Sequence, residues 1–166
     1  MVKNFLFYHR CLIVFECERE CECECMSQLP RSLDPIKLAK QNAQLQGQLL
    51  LRELPRIQDI FDQADQQAQI DLQFGQDNKR FYFMEGKIKA TLNLICQRCT
   101  HSMHFDLDSS FLLSPVTSDE RAKNLPAKYE PVFMQDELIF VYEMIEDEIL
   151  LALPMVAKHG KCELSA

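Results

Sequence analysis

Two short doublets in this 166-residue chain carry the residue types that could do chemistry: Cys96-Gln97-Arg98-Cys99 and His159-Gly160-Lys161-Cys162. Each sets two soft donors three positions apart, the spacing that lets one turn present both to one metal ion. Together they supply the three thiolates and one imidazole of a tetrahedral zinc site, with His101 as an alternative ligand beside the first doublet. About sixty residues separate the doublets, far beyond compact zinc-finger spacing, so tertiary structure would have to join them. The first doublet has other readings: a turn without metal, a strained reversible disulfide, or a thiol redox enzyme acting through Cys96 and Cys99. Redox chemistry of the thioredoxin kind places its first thiol at a helix N-terminus, where the dipole lowers the pKa. Here strand patterns lie on both sides.

Those patterns position the doublet. Ile88, Ala90, Leu92 and Leu94 are apolar at every second position before it, and Met103, Phe105 and Leu107 repeat the beat after it. This predicts a β-hairpin with a two-residue turn in which Cys96 faces Cys99. Leu92 then faces Met103, Ala90 faces Phe105 and Ile88 faces Leu107, with Lys89 opposite Asp106 and Lys87 opposite Asp108 on the other side.

Around the hairpin, Asp34-Pro35 predicts a helix start, since the carboxylate caps first-turn amides and proline fits the first helical position. A short strand is expected at Leu49 to Leu51, and a second helix from Pro55 carrying Ile57, Ile60 and Phe61. Ile70, Leu72 and Phe74 alternate as a strand, and Gly86 reads as a bulge before the hairpin. From about Leu138 to Leu153 the apolar spacing turns helical, with Glu143, Glu146 and Asp147 on a solvated face, and Pro154 ends the run. The expected fold is α+β: an antiparallel β-sheet with a long central hairpin and helices near both ends.

Residues 1–25 do not fit this domain. Their tail alternates Cys17, Cys21, Cys23 and Cys25 with glutamates, and no small-residue cleavage site comes after the apolar start. The segment reads as a low-complexity extension ahead of an initiator at Met26, with soft-metal binding as the other reading, and residues 26–166 read as one domain. From Met26 onward only three cysteines remain, a number suited to a reducing cytoplasm. The net charge of -7 opposes adhesion to phosphate backbones, and no apolar run reaches the roughly 18 residues a membrane helix needs. No nucleophile arrangement, phosphate-cradling glycine loop or small-molecule site is visible, which points to a non-catalytic protein.

The pieces Leu33-Asp34-Pro35, Leu94-Ile95-Cys96-Gln97-Arg98-Cys99, Phe111-Leu112-Leu113-Ser114-Pro115-Val116, Tyr129-Glu130-Pro131 and Glu146 to Pro154 occur in an order that resembles the bacterial YceD family. The resemblance runs from about Met26 to the end. It implies a ribosome biogenesis factor that supports accumulation of 23S rRNA and assembly of the large ribosomal subunit, without catalytic residues. Some relatives carry further cysteines after the last helix, where this chain has only His159 and Cys162. With the acidic charge, the implied partner is a large-subunit ribosomal protein or a precursor particle, rRNA being reached indirectly. Arg98 at the tip and Glu146 and Asp147 on the last helix are the candidate contacts.

Overall fold

The computed structural model describes residues 29–57, 60 and 66–160. The expectations for residues 1–25, Met26, Phe61 and Cys162 lie outside these. In chain order the elements are β1 (Ser32–Leu33), α1 (Pro35–Lys40), β2 (Gln44–Leu50), a single 3-10 turn (Leu51–Glu53), β3 (Gln67–Gln76), β4 (Tyr82–Ile95), β5 (Ser102–Val116), α2 (Asp119–Lys123), β6 (Glu130–Phe133), β7 (Ile139–Phe140) and α3 (Val141–Ala152). Five strands form one sheet in the order β2-β3-β4-β5-β6, and β1 pairs with β7 in a two-stranded ribbon. Every pairing is antiparallel except that of β5 with β6. The architecture is α+β with a long hairpin at its centre, as the sequence predicts.

Strand alternation drives the assembly. Ile70, Leu72 and Phe74 of β3, Met84, Ile88, Leu92 and Leu94 of β4, and Leu107, Phe111 and Leu113 of β5 are buried on one face. Against them pack α1, which lies over β3 and β4, and α3, which reaches β5 and the β1/β7 ribbon. Helix α1 starts as predicted: the Asp34 carboxylate accepts the Lys37 N–H at 2.9 Å and Pro35 opens the first turn.

The hairpin register differs from the sequence reading by two residues. Leu92 faces Phe105, Ala90 faces Leu107, and the ladder closes with Ile95 opposite Ser102. Beyond it the Cys96 N–H donates to the His101 carbonyl and the Thr100 N–H to the Cys96 carbonyl, both at 2.9 Å, so the loop is four residues wide. A shift of two keeps every side chain on its face, so alternation alone cannot detect it. Turn chemistry decides: a two-residue turn favours positive φ at its centre, which Gln97-Arg98 resists, whereas the wider loop concentrates positive φ at Thr100 (58°). The charge pairs move accordingly. Lys89 lies opposite Asp108 with 3.9 Å between charges, Asp106 accepts from Thr91 Oγ1 at 3.0 Å, and Lys87 faces Ser110.

Gly86 is a regular ladder residue, not a bulge. It pairs with Leu72 on one side and Phe111 on the other, and the Phe111 ring occupies the space a Cβ would fill. The predicted short strand at Leu49 is longer, because β2 begins at Gln44. Helix α3 starts at Val141 instead of Leu138, since Asp136 and Glu137 take positive φ (49° and 66°) and turn the chain into β7 first.

Helix α3 also buries two carboxylates that the periodicity leaves ambiguous. Glu146 is only 2% exposed, which overturns the solvated-face reading: Oε1 accepts the Arg56 N–H at 2.6 Å and Oε2 the Arg56 guanidinium at 2.7 Å. The same guanidinium reaches exposed Asp147 at 2.7 Å, so α3 clamps the segment after the 3-10 turn. Glu148 is 9% exposed; burial first, then the charges of Glu130 and Asp147, push its carboxyl up to about 7.

Two substitutions probe this packing. Gly86→Ala should cost about 1–3 kcal/mol in denaturant unfolding, because the added Cβ would overlap the Phe111 ring and force it to shift, and Phe111→Leu in that background should recover part of it. For Glu148 the raised pKa means the folded state holds the proton more tightly than the unfolded one. Its contribution is therefore complete below the ordinary glutamate pKa and lost as pH rises through about 7. Glu148→Gln should raise the melting temperature at pH 8 and leave it nearly unchanged at about pH 4, below the ordinary glutamate pKa; equal shifts at both pH values would rule this out.

Candidate metal centre at the hairpin tip

The tip of the β4/β5 hairpin is buried on its inner side. Leu94 and Cys96 are buried at 2% and 0% exposure, so the first thiol points into the molecule. The adjoining loop holds Cys99 half-buried and leaves Arg98 on the surface. Thr100 is a β-branched residue at positive φ, a costly conformation held by the two backbone hydrogen bonds of the loop. Its hydroxyl donates to the Cys99 carbonyl at 2.7 Å.

His159 reaches the tip because the chain reverses at the end of α3. Pro154 prevents the helix from continuing, and the backbone turns back across the hairpin end. There the Gln97 N–H donates to the Ala157 carbonyl at 2.8 Å, and the Ala157 side chain is buried. Two residues later His159 comes to rest with Nδ1 3.4 Å from Cys99 Sγ and Nε2 3.3 Å from the Ser102 carbonyl oxygen. The ligand atoms of Cys96, Cys99 and His159 all lie within 4.8 Å of one another.

This geometry fits a metal ion. A tetrahedral zinc with bonds of about 2.3 Å to sulfur and about 2.0 Å to nitrogen has an S···N edge of roughly 3.5 Å, close to the Cys99–His159 separation. The imidazole is oriented as a ligating histidine usually is. A carbonyl can only accept, so the Ser102 oxygen fixes the proton on Nε2 and turns the Nδ1 lone pair toward the sulfurs. Two thiolates and one imidazole are donors of the softness zinc takes. Bound there, a zinc ion would tie the C-terminal segment to the hairpin.

Of the residues expected at the site, Cys96, Cys99 and His159 come together, and Cys162 lies outside the described residues. His101 does not join them: its carbonyl closes the loop on Cys96 N–H and its side chain is exposed. Glu146 is committed to Arg56 inside the molecule, and Asp147 is exposed but shares that guanidinium. The carbonyls of Ser102 and Ala157 are the parts that sequence reasoning missed, and backbone groups leave no mark in residue type.

The family model for "Large ribosomal RNA subunit accumulation protein YceD" matches residues 84–166, the stretch from the start of the long hairpin through both doublets. A protein of that name from Haemophilus influenzae is 35% identical over 141 residues, 83% of this chain and 81% of the relative. No solved structure matches. With the family model covering the hairpin and its returning tail, and a relative this similar spanning most of both chains, the chain belongs to the YceD family.

Proposed function

We propose that this protein is a non-catalytic factor that supports accumulation of large-subunit ribosomal RNA, acting in the cytoplasm, with residues 26–166 as its working unit. Membership of the YceD family carries this reading, together with the name of the relative. The site agrees with it in kind: two cysteines and a histidine packed at a hairpin tip suit a structural metal, with Cys96 wholly buried. Among the described residues no helix is long and apolar enough to cross a membrane.

The partner is read from charge. A chain of net charge -7 gains little from counterion release on naked RNA. It is attracted to a basic large-subunit protein or to a precursor particle coated with such proteins. Arg98, exposed at the tip, and Lys158, exposed on the returning tail, are the cations placed to touch phosphate locally once that docking is made.

Zinc held by Cys96, Cys99, His159 and Cys162 would shape this tip. Protein purified without a tag should carry about one zinc that is lost on Cys96→Ser, with a lower melting temperature, because metal binding is coupled to folding. A zinc-free protein that keeps its melting temperature in chelator would overturn the metal assignment. For the role itself, deleting the gene should lower free large subunits relative to small ones on a sucrose gradient, and Arg98→Ala should reproduce part of the defect. An unchanged subunit ratio in the deletion strain would refute the ribosomal role.

A further inference from the structure

At the end of the long hairpin opposite the cysteine tip, cations gather in a chain whose net charge is -7. Here β3 ends at Gln76 and β4 begins at Tyr82, and the connection 77–81 carries Lys79 and Arg80, both exposed. The loop leading into β6 lies against this turn: the Tyr129 hydroxyl donates to Asp77 Oδ2 at 3.0 Å, and the Lys128 ammonium stands 3.6 Å from the same oxygen. Helix α2 feeds that loop. It has Asp119 and Glu120 in its first turn and Arg121 and Lys123 in its last, so its basic end is the one that runs on toward Lys128.

The single acid of the turn is spent on holding it together. Asp77 Oδ1 accepts the Lys79 and Phe81 N–H groups at 2.9 Å each, while Oδ2 takes Tyr129 and Lys128. The next acid along, Glu130, lies beside Glu148 of α3. Among the described residues no carboxylate is ion-paired with Lys79, Arg80, Arg121 or Lys123. Arg80 holds φ at 66°, a left-handed conformation that glycine or asparagine takes far more readily than arginine. Its N–H donates to the Asp77 carbonyl at 2.9 Å and its carbonyl accepts from the Gln76 amide at 3.1 Å, so the guanidinium is carried on a backbone fixed from both sides.

Aromatic rings stand among these cations. Phe81 and Phe83 are half-buried and both contact Tyr129, Phe83 stacked at 17° with centroids 6.2 Å apart and Phe81 tilted at 6.5 Å. Lys128 lies over the Tyr129 ring at 4.3 Å, and Phe83 rests on Gly75, where a Cβ would leave it no room. The rings are thus held in place by the protein itself. Cations set around partly exposed rings suit a single-stranded nucleic acid, whose phosphates meet the charges while its bases stack. An acidic protein would use the charges and leave the rings idle. We propose that the turn 77–81 and the connection 121–129 form a contact site for single-stranded RNA, with Lys79, Arg80 and the basic end of α2 on phosphates and Phe81 and Phe83 against bases. That this RNA is a segment of large-subunit rRNA rests on the function proposed above. The 14 residues of β4, at roughly 3.3 Å each, set this site about 45 Å from the cysteine tip, so it is a separate surface from Arg98 and Lys158.

Fluorescence anisotropy of the full chain with a labelled oligouridine of about eight nucleotides, within the span one such site covers, tests this. With two to three phosphates neutralised, the logarithm of affinity should fall on the logarithm of salt with a slope of roughly -2. Lys79→Gln with Arg80→Gln should weaken binding about fivefold to tenfold and flatten that slope, whereas Lys87→Gln with Lys89→Gln, which removes the same charge from the outer sheet face, should change it by less than about twofold. An abasic oligonucleotide of equal length should bind less tightly, because it has nothing to stack. On the unaltered protein, 4-thiouridine placed in the oligonucleotide should crosslink within residues 79–83 or 121–129, a reading that does not depend on any variant folding. The proposal is overturned by no binding at about 50 mM salt up to roughly 100 μM protein, by equal weakening from both pairs of substitutions, or by crosslinks confined to other residues. Abasic and oligouridine strands binding alike, or polyglutamate displacing the RNA as well as RNA itself, would overturn it too. These readouts need no ribosome: a defective deletion strain with no contact refutes this site alone, and an unaffected deletion strain with the contact intact refutes the ribosomal role alone.

Discussion

Twelve consecutive residue pairs, from Met84 opposite Leu113 to Ile95 opposite Ser102, join β4 to β5, and most of the molecule is arranged by that one ladder. Its inner face forms the floor on which α1 and α3 settle. Its flanks extend the sheet through β3 and β6, and its end presents Cys96 and Cys99. Such a ladder tolerates little adjustment, because a slip of one residue would turn Ile88, Leu92 and Leu107 out of the core. Gly86 and Phe111 fix it further: with the ring seated over the glycine, the two strands interlock at one point along their length.

Helix α3 shows how a helix face can be apolar in pattern and still bury charge. Ile145 and Ile149 make the contact that the periodicity announces, and Val141 joins them in the core. Glu146 lies one position from that stripe, and burial becomes tolerable only because Arg56 supplies a backbone N–H and a guanidinium to its two oxygens. Among the described residues Glu148 has no comparable donor, and it responds by holding its proton more tightly. The same residue type on the same helix thus meets a guanidinium in one place and an apolar, acidic setting in the other, by virtue of what crosses it.

Much of the fold was legible because it rests on local rules. Alternation identifies β3, β4 and β5, the Asp34-Pro35 cap places α1, and Pro154 ends α3. The meeting of His159 with Cys96 and Cys99 was foreseeable as chemistry, since a pair of thiols invites a further donor. The features that could not be read depend on through-space neighbours. Register to within two residues is set by turn width, the exclusion of His101 by the same wider loop, and the fate of Glu146 by Arg56, ninety residues away. The backbone anchors at Ser102 and Ala157 belong to the same class.

His159 meets Cys99 across sixty residues of sequence. Synthesis proceeds from the N-terminus at about 5–20 residues per second, so a nascent chain displays its two tip thiols for roughly 3 to 12 s before the imidazole exists. Throughout that interval the hairpin can pair while its end stays unfinished. Completion of the tip therefore reports that β5, β6 and α3 have all been made. A hairpin that closes early and a clasp that arrives later make the tip a marker that everything between Cys99 and His159 has been synthesised.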